Sequence, residues 1–115
     1  MTGKKQSEIV TLCSPDIITT GTITYFLNPQ GAETFPDLIT RANLLLSELE
    51  SKYINKKIML VSHGDFGKMF YTAYYKLDWK NVLIDFHFGN SELLLLSPNT
   101  NPTNAKLVDI KQFNL

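Results

Sequence analysis

An α/β fold is predicted by three features of this chain. The apolar run Ile58-Met59-Leu60-Val61, bounded by Lys56-Lys57 and by Gly64, reads as a buried strand. Apolar residues recur at helical spacing before it (Phe35, Leu38, Ile39, Ala42, Leu45, Leu46, Leu49) and after it (Phe66, Met69, Phe70, Ala73, Tyr74, Leu77). A second strongly apolar strand follows at 91–96. Strands and helices in such succession bury their apolar faces against one another as layers.

The elements follow in order. Residues 9–12, Ile9-Val10-Thr11-Leu12, read as a short strand ended by Ser14-Pro15. Residues 16–27, rich in threonine and isoleucine with Gly21 among them, read as a strand or a frayed helix. Residues 1–24 are therefore an ambiguous N-terminal segment of a single domain spanning 1–115. Asn28-Pro29-Gln30-Gly31 is a loop. Thr34 caps the next helix, Pro36 suits its first turn, and Asp37 stands three residues after the cap, as in a capping box. That helix reaches about Lys52, with Thr40, Asn43, Ser47, Glu48 and Glu50 on its polar face. Beyond the strand ending at Val61 a helix starts after Gly64. Asp78 caps a shorter helix through Trp79, Val82, Leu83 and Phe86, closed by Gly89. Pro98-Asn99-Thr100-Asn101-Pro102 is a turn, and a strand at 106–110 completes an antiparallel hairpin with 91–96.

Composition narrows the partners. With 43% hydrophobic and 19% charged residues over 115 positions, the chain is an ordinary globular domain. Eleven basic and eleven acidic residues balance, so no global field favours nucleic acid or an acidic membrane. Arg41 is the one arginine, which leaves the chain short of the bidentate fork that commonly grips a phosphate dianion. The single cysteine, Cys13, permits no internal disulfide and fits a reducing compartment. No apolar run is long enough to cross a membrane, and no signal-peptide core follows Met1-Thr2-Gly3-Lys4-Lys5, so a cytoplasmic location is expected.

The residues that carry chemistry sit at turns. Val61-Ser62-His63-Gly64 places His63 on a strand-to-helix turn, beside free backbone N–H groups and the positive end of a helix dipole. Such a turn at His63 and Gly64 binds anions, phosphate above all, and an imidazole there can hydrogen-bond or transfer a proton to the anion. Glu33 stands just before the capped helix, and connections of this kind gather at the carboxyl edge of a sheet. Glu33 and His63 are therefore expected to face one pocket, where a bound dianion would make Glu33 a usable proton donor. Other signals fail. Gly64-Asp65-Phe66-Gly67-Lys68-Met69 has too few residues between its glycines for a P-loop, and Met69 replaces the metal-binding hydroxyl. His63, His87 and Cys13 lack zinc spacing, and no cofactor motif is found. Tyr71, Tyr74, Tyr75 and Trp79 read as core and rim, and His87 between two phenylalanines as packing or a hydrogen-bonded helix end.

Gly31-Ala32-Glu33-Thr34-Phe35-Pro36-Asp37, with Arg41 following, resembles the Gly-Gly-Glu-Ser…Asp…Arg segment of the histidine phosphatase (phosphoglycerate mutase-like) superfamily. Val61-Ser62-His63-Gly64 resembles that superfamily's second catalytic histidine motif, and Gly89-Asn90-Ser91 its Asn-x-Ser stretch before a late strand. The resemblance runs from about Tyr25 to Ile110 and corresponds to the C-terminal half of the family. It implies a partial three-layer fold, a mixed sheet with flanking helices. It also implies phosphomonoester hydrolysis or phosphoryl transfer through phosphohistidine, with Glu33 as acid/base and His63 holding the phosphoryl group; Arg41 falls at a structural position.

Two departures stand against that chemistry. The family's nucleophile lies in an Arg-His-Gly motif, and this chain has no such triplet. The family also places an arginine after a Ser-Pro turn, where Cys13-Ser14-Pro15 is followed by Ile18. The function classes are thus a phosphatase-like enzyme, a truncated or degenerate non-catalytic member binding a phosphorylated small molecule or a protein, and a fragment of a longer enzyme. For the isolated chain the non-catalytic class is favoured, because phosphoryl transfer needs a placed nucleophile and dense positive charge. An unpaired strand edge left by a missing first strand predicts a homo-oligomer.

Overall fold

The computed structural model describes residues 3–13, 16–21, 23–89 and 91–109. Its centre is a pair of helices, α2 (Phe35–Lys52) packed on α3 (Gly64–Tyr75). Thr34 starts α2 from an extended conformation. The Asp37 N–H donates to Thr34 Oγ1 at 3.3 Å, and the Thr34 N–H donates to Asp37 Oδ2 at 2.9 Å. The capping box satisfies two of the N–H groups a helix start leaves unpaired. These bonds hold the Asp37 carboxyl below the usual carboxylate range. Ala42 of α2 and Met69 of α3 are fully buried.

A short helix, α4 (Trp79–Asp85), follows α3 and is capped by Asp78, whose carboxylate accepts the Lys80 N–H at 2.9 Å. Gly89 does not close it. The chain leaves the helix at Phe86, which is extended and stacks on Tyr71 with ring centroids 4.3 Å apart. Gly89 instead donates its N–H to Glu92 Oε2 at 2.6 Å.

The ambiguous N-terminal region contains both kinds of element. Residues 9–12, expected as a strand, lie inside a helix, α1 (Gln6–Cys13). The β-branched residues suggested a strand, but local capping decides. The Lys5 N–H donates to Glu8 Oε2 at 2.9 Å, and the Ile9 N–H donates to the Lys5 carbonyl at 3.1 Å. Residues 16–27, left open between strand and helix, hold an antiparallel pair, β1 (Ile17–Thr19) and β2 (Thr24–Phe26), with Ile18 opposite Tyr25. Tyr25, Phe35, Met69 and Leu83 form the buried core, and Ile18, Leu27, Leu38, Ile39 and Trp79 pack around it. Phe35 sits between two rings, edge-on to Tyr25 at 5.8 Å and stacked on Trp79 at 5.7 Å.

A second antiparallel pair, β3 (Glu92–Leu95) and β4 (Lys106–Asp109), has Leu93 opposite Val108. Two tyrosines tie it to α3. Tyr71 Oη donates to the Pro102 carbonyl at 2.9 Å, and Tyr75 Oη to the Ser97 carbonyl at 3.3 Å. The expected turn at Ser14-Pro15, the Asn90 position and the strand end at Ile110 lie outside the described residues.

The run Ile58-Met59-Leu60-Val61 is exposed and has no strand partner among the described residues, which corrects the expectation of a buried strand. Fractional exposure along it alternates, 44%, 76%, 43% and 93%. A period of two is what an extended chain gives when one face is partly covered. The residues thus keep the habit of a strand, but the described strands pair only with one another, β1 with β2 and β3 with β4. The described residues are therefore α/β in content, with two small antiparallel sheets in place of the expected mixed sheet. The total accessible surface is 8677 Å², against roughly 6400 Å² for a compact monomer of this mass. The radius of gyration is 15.9 Å, against about 13 Å for a compact domain of this length. No helix among the described residues is long and apolar enough to cross a membrane.

Two predictions follow from this packing. Thr34→Ala lowers unfolding stability by about 1 kcal/mol in denaturant titration. Because the Asp37 carboxyl is lowered in the folded state, its share of the cap is present above the ordinary carboxylate pKa and is lost as pH falls through the lowered value. Substituting Met59→Lys and Val61→Lys together reduces association measured by light scattering and leaves the melting temperature unchanged, since both side chains face solvent. Unchanged association would place the contact elsewhere on the chain.

Candidate functional site

Residues 56–63 lead in extended conformation to α3, and His63 is the residue that caps it, with φ −101° and ψ 158°. Its carbonyl accepts the Gly67 N–H at 2.8 Å, so the helix is properly started. Its imidazole makes no capping hydrogen bond. The first N–H groups of α3 have no carbonyl one turn earlier to bind, and the helix dipole concentrates positive potential there. The sequence places no cation in the first turn, and Asp65 is its one charged residue.

His63 and Gly64 line a cavity of about 490 Å³ together with Ile23, Asp65, Lys68, His87, Phe88 and Gly89. Residues 87–89 line it, with Phe88 pressing on α3. The Phe88 ring lies against Gly67, where any side chain would collide with it, and a Cβ on Gly64 would stand 3.2 Å from the Phe88 carbonyl oxygen. Lys68 is only 3% exposed, and its ammonium donates to Tyr25 Oη at 2.7 Å and lies 5.1 Å from that ring's centroid. Asp65 Oδ1 approaches it to 4.0 Å from a carboxylate that is 59% exposed.

Glu33 is placed differently. Its Oε1 stands 2.7 Å from Arg41 Nε in an ion pair, and the Arg41 guanidinium stands 5.3 Å from the centre of the Phe66 ring. The chain's one arginine thus links the start of α2 to the start of α3. Glu33 lines a second cavity, of about 380 Å³, with Tyr25, Phe26, Pro29, Phe35 and Leu38 among its walls. Ile23 and Asp65 line both cavities, so Glu33 and His63 occupy adjoining pockets rather than a common one.

The sequence reading missed two residues of the His63 cavity. Lys68 was seen only as part of a failed P-loop. His87 was read as packing or a helix end, but α4 stops at Asp85 and His87 is exposed to the cavity. A signal was present in Phe86-His87-Phe88, since alternate residues of an extended segment face opposite sides and two half-buried rings leave the middle side chain to the other.

A helix opened by a free imidazole, with a buried lysine one turn further on, has the chemistry of an anion site on an α/β scaffold. The profile of the histidine phosphatase superfamily (branch 1) matches residues 1–110 of the 115-residue chain, and the chain belongs to that superfamily. Comparison with curated proteins and with solved structures gives no match.

The exposed Glu33–Arg41 pair contributes little to stability. A double-mutant cycle with Glu33→Ala and Arg41→Ala in urea is expected to give a coupling below about 1 kcal/mol. A larger coupling would mark the pair as the main tie between α2 and α3.

Proposed function

We propose that this chain binds phosphorylated ligands at the start of α3 and does not hydrolyse them. The free imidazole of His63, next to the unpaired N–H groups of α3 in a cavity of ligand size, carries this reading. Its ligand is a phosphorylated small molecule or the phosphorylated residue of a protein. Hydrolysis in the superfamily runs through a phosphohistidine, and the chain has no Arg-His-Gly triplet to form one. Glu33, the residue that resembles the family's acid/base, is held by Arg41 in the adjoining cavity. The single arginine is engaged there and supplies no positive charge to the His63 cavity.

A second reading, a phosphatase or phosphoryl-transfer enzyme, is favoured by one observation. The unpaired run at 58–61 ends two residues before His63, in the position of a strand awaiting neighbours. In this reading Glu33 and His63 belong to a complete three-layer phosphoglycerate mutase-like domain whose nucleophile lies on chain not included in these 115 residues.

Calorimetric titration of the full chain with inorganic phosphate, set beside a p-nitrophenyl phosphate assay, tests the first reading; the second predicts turnover only once a segment bearing the nucleophile is joined to the chain. Binding that His63→Ala weakens by about tenfold or more, the loss of a charge-assisted hydrogen bond, with hydrolysis no faster than the protein-free blank, is the expected result. Hydrolysis that survives repurification and disappears in His63→Ala would overturn the first reading and require a nucleophile within these 115 residues.

A further inference from the structure

We propose that His87 is a second imidazole of the anion site, and that His63, His87 and Lys68 together recognise the dianionic phosphoryl group of a phosphomonoester. The inference rests on the reading of the α3 start as a phosphate site and adds to it the groups that hold the second charge.

His87 is held in place by its neighbours. Phe86 stacks on Tyr71 at 4.3 Å, the Phe88 ring lies on Gly67, and the Gly89 N–H is bound by Glu92 at 2.6 Å. The backbone on both sides of His87 is therefore fixed, and the imidazole stands in the cavity wall that faces the start of α3. Gly89 leaves the ring its room, since a Cβ there would stand 3.2 Å from His87 Nε2. His63 and His87 reach the same cavity from separate segments, and neither ring has a hydrogen-bond partner among the described residues. A packing role would have buried His87, and a helix-end role would have given it a carbonyl of α4. It has neither.

Charge requires the second ring. A buried ammonium needs compensation, and Lys68 receives it from a neutral phenol and from an exposed carboxylate at the limit of ion-pair distance. Formally Lys68 and Asp65 cancel. The surplus that draws an anion then comes from the helix start and the imidazoles. One imidazole with a helix dipole suits a single negative charge. A dianion presents more acceptor oxygens and more charge, and a second N–H donor on the opposite wall meets it. The guanidinium that usually supplies paired donors is at Glu33.

The test is a titration of the full chain with inorganic phosphate, phenyl phosphate and dimethyl phosphate, followed through the imidazole proton resonances. The chain has two histidines, so one single variant assigns both signals. Both resonances are expected to move with one midpoint for the two dianions, and dimethyl phosphate, a monoanion, to bind at least about tenfold more weakly. His87→Ala weakens phosphate by about tenfold, His87→Gln recovers part of the loss through its amide donor, and Asp65→Asn tightens binding several-fold. His87 is exposed, so its variants keep the wild-type melting temperature. Phosphate that moves His63 alone, with His87→Ala binding as wild type, overturns this proposal and leaves the phosphate-binding reading standing. No binding by the wild-type chain overturns both.

Discussion

The hydrogen bond from Lys68 Nζ to Tyr25 Oη joins residues 43 positions apart and is buried along its length. It ties β2, and through it the N-terminal hairpin, to the middle of α3. A charged donor makes such a bond worth about 1.5–3 kcal/mol, and its loss would strand an ammonium in the interior at further cost. The same contact brings Tyr25 over Phe35 and so completes the aromatic stack that ends at Trp79. Ile23, one residue before β2, is thereby held where it borders both cavities. Packing and site thus share one determinant, because the lysine that anchors the hairpin also lines the pocket.

The placement of positive charge follows from a composition with one arginine. That arginine bridges Glu33 and the face of Phe66, and so fixes how α2 and α3 start relative to each other. What remains near His63 is a helix dipole, a lysine engaged with a phenol, and neutral or weakly basic rings. Groups of that kind bind an anion. They provide no preorganised fork around the equatorial oxygens of a transferring phosphoryl group, where catalysis of that reaction is concentrated. Binding without turnover is the function we propose for this arrangement.

Local signals in the sequence carried the helices. Thr34, Pro36 and Asp37 mark the start of α2 by side-chain to backbone bonds that need nothing from elsewhere, and Asp78 does the same for α4. Placing His63 at the helix start was equally local, following from Gly64 and the spacing of Phe66, Met69 and Ala73. The failures are non-local. Burial of Ile58-Met59-Leu60-Val61 depends on strands that the run itself cannot specify, so its apolar character proposed a position that its surroundings do not supply. Residues 9–12 went the other way, because the Glu8 side chain stabilises a helix start that β-propensity alone does not register. Glu33 was expected beside His63 through the geometry of a common sheet edge. Without that sheet, Arg41 sets its position.

The exposed run and the anion site are contiguous in the chain. His63 follows Val61 by two residues, and an extended chain advances at most about 3.6 Å per residue, so the run ends close to the residue that caps α3. Unpaired, the run carries a row of free N–H and C=O groups with Met59 and Val61 turned to water. His63 itself is held at the start of α3 by the bond from the Gly67 N–H to its carbonyl. Opposite it, His87 is held by Phe86 and Phe88. Both histidines are therefore carried by backbone that caps α3 or packs against it.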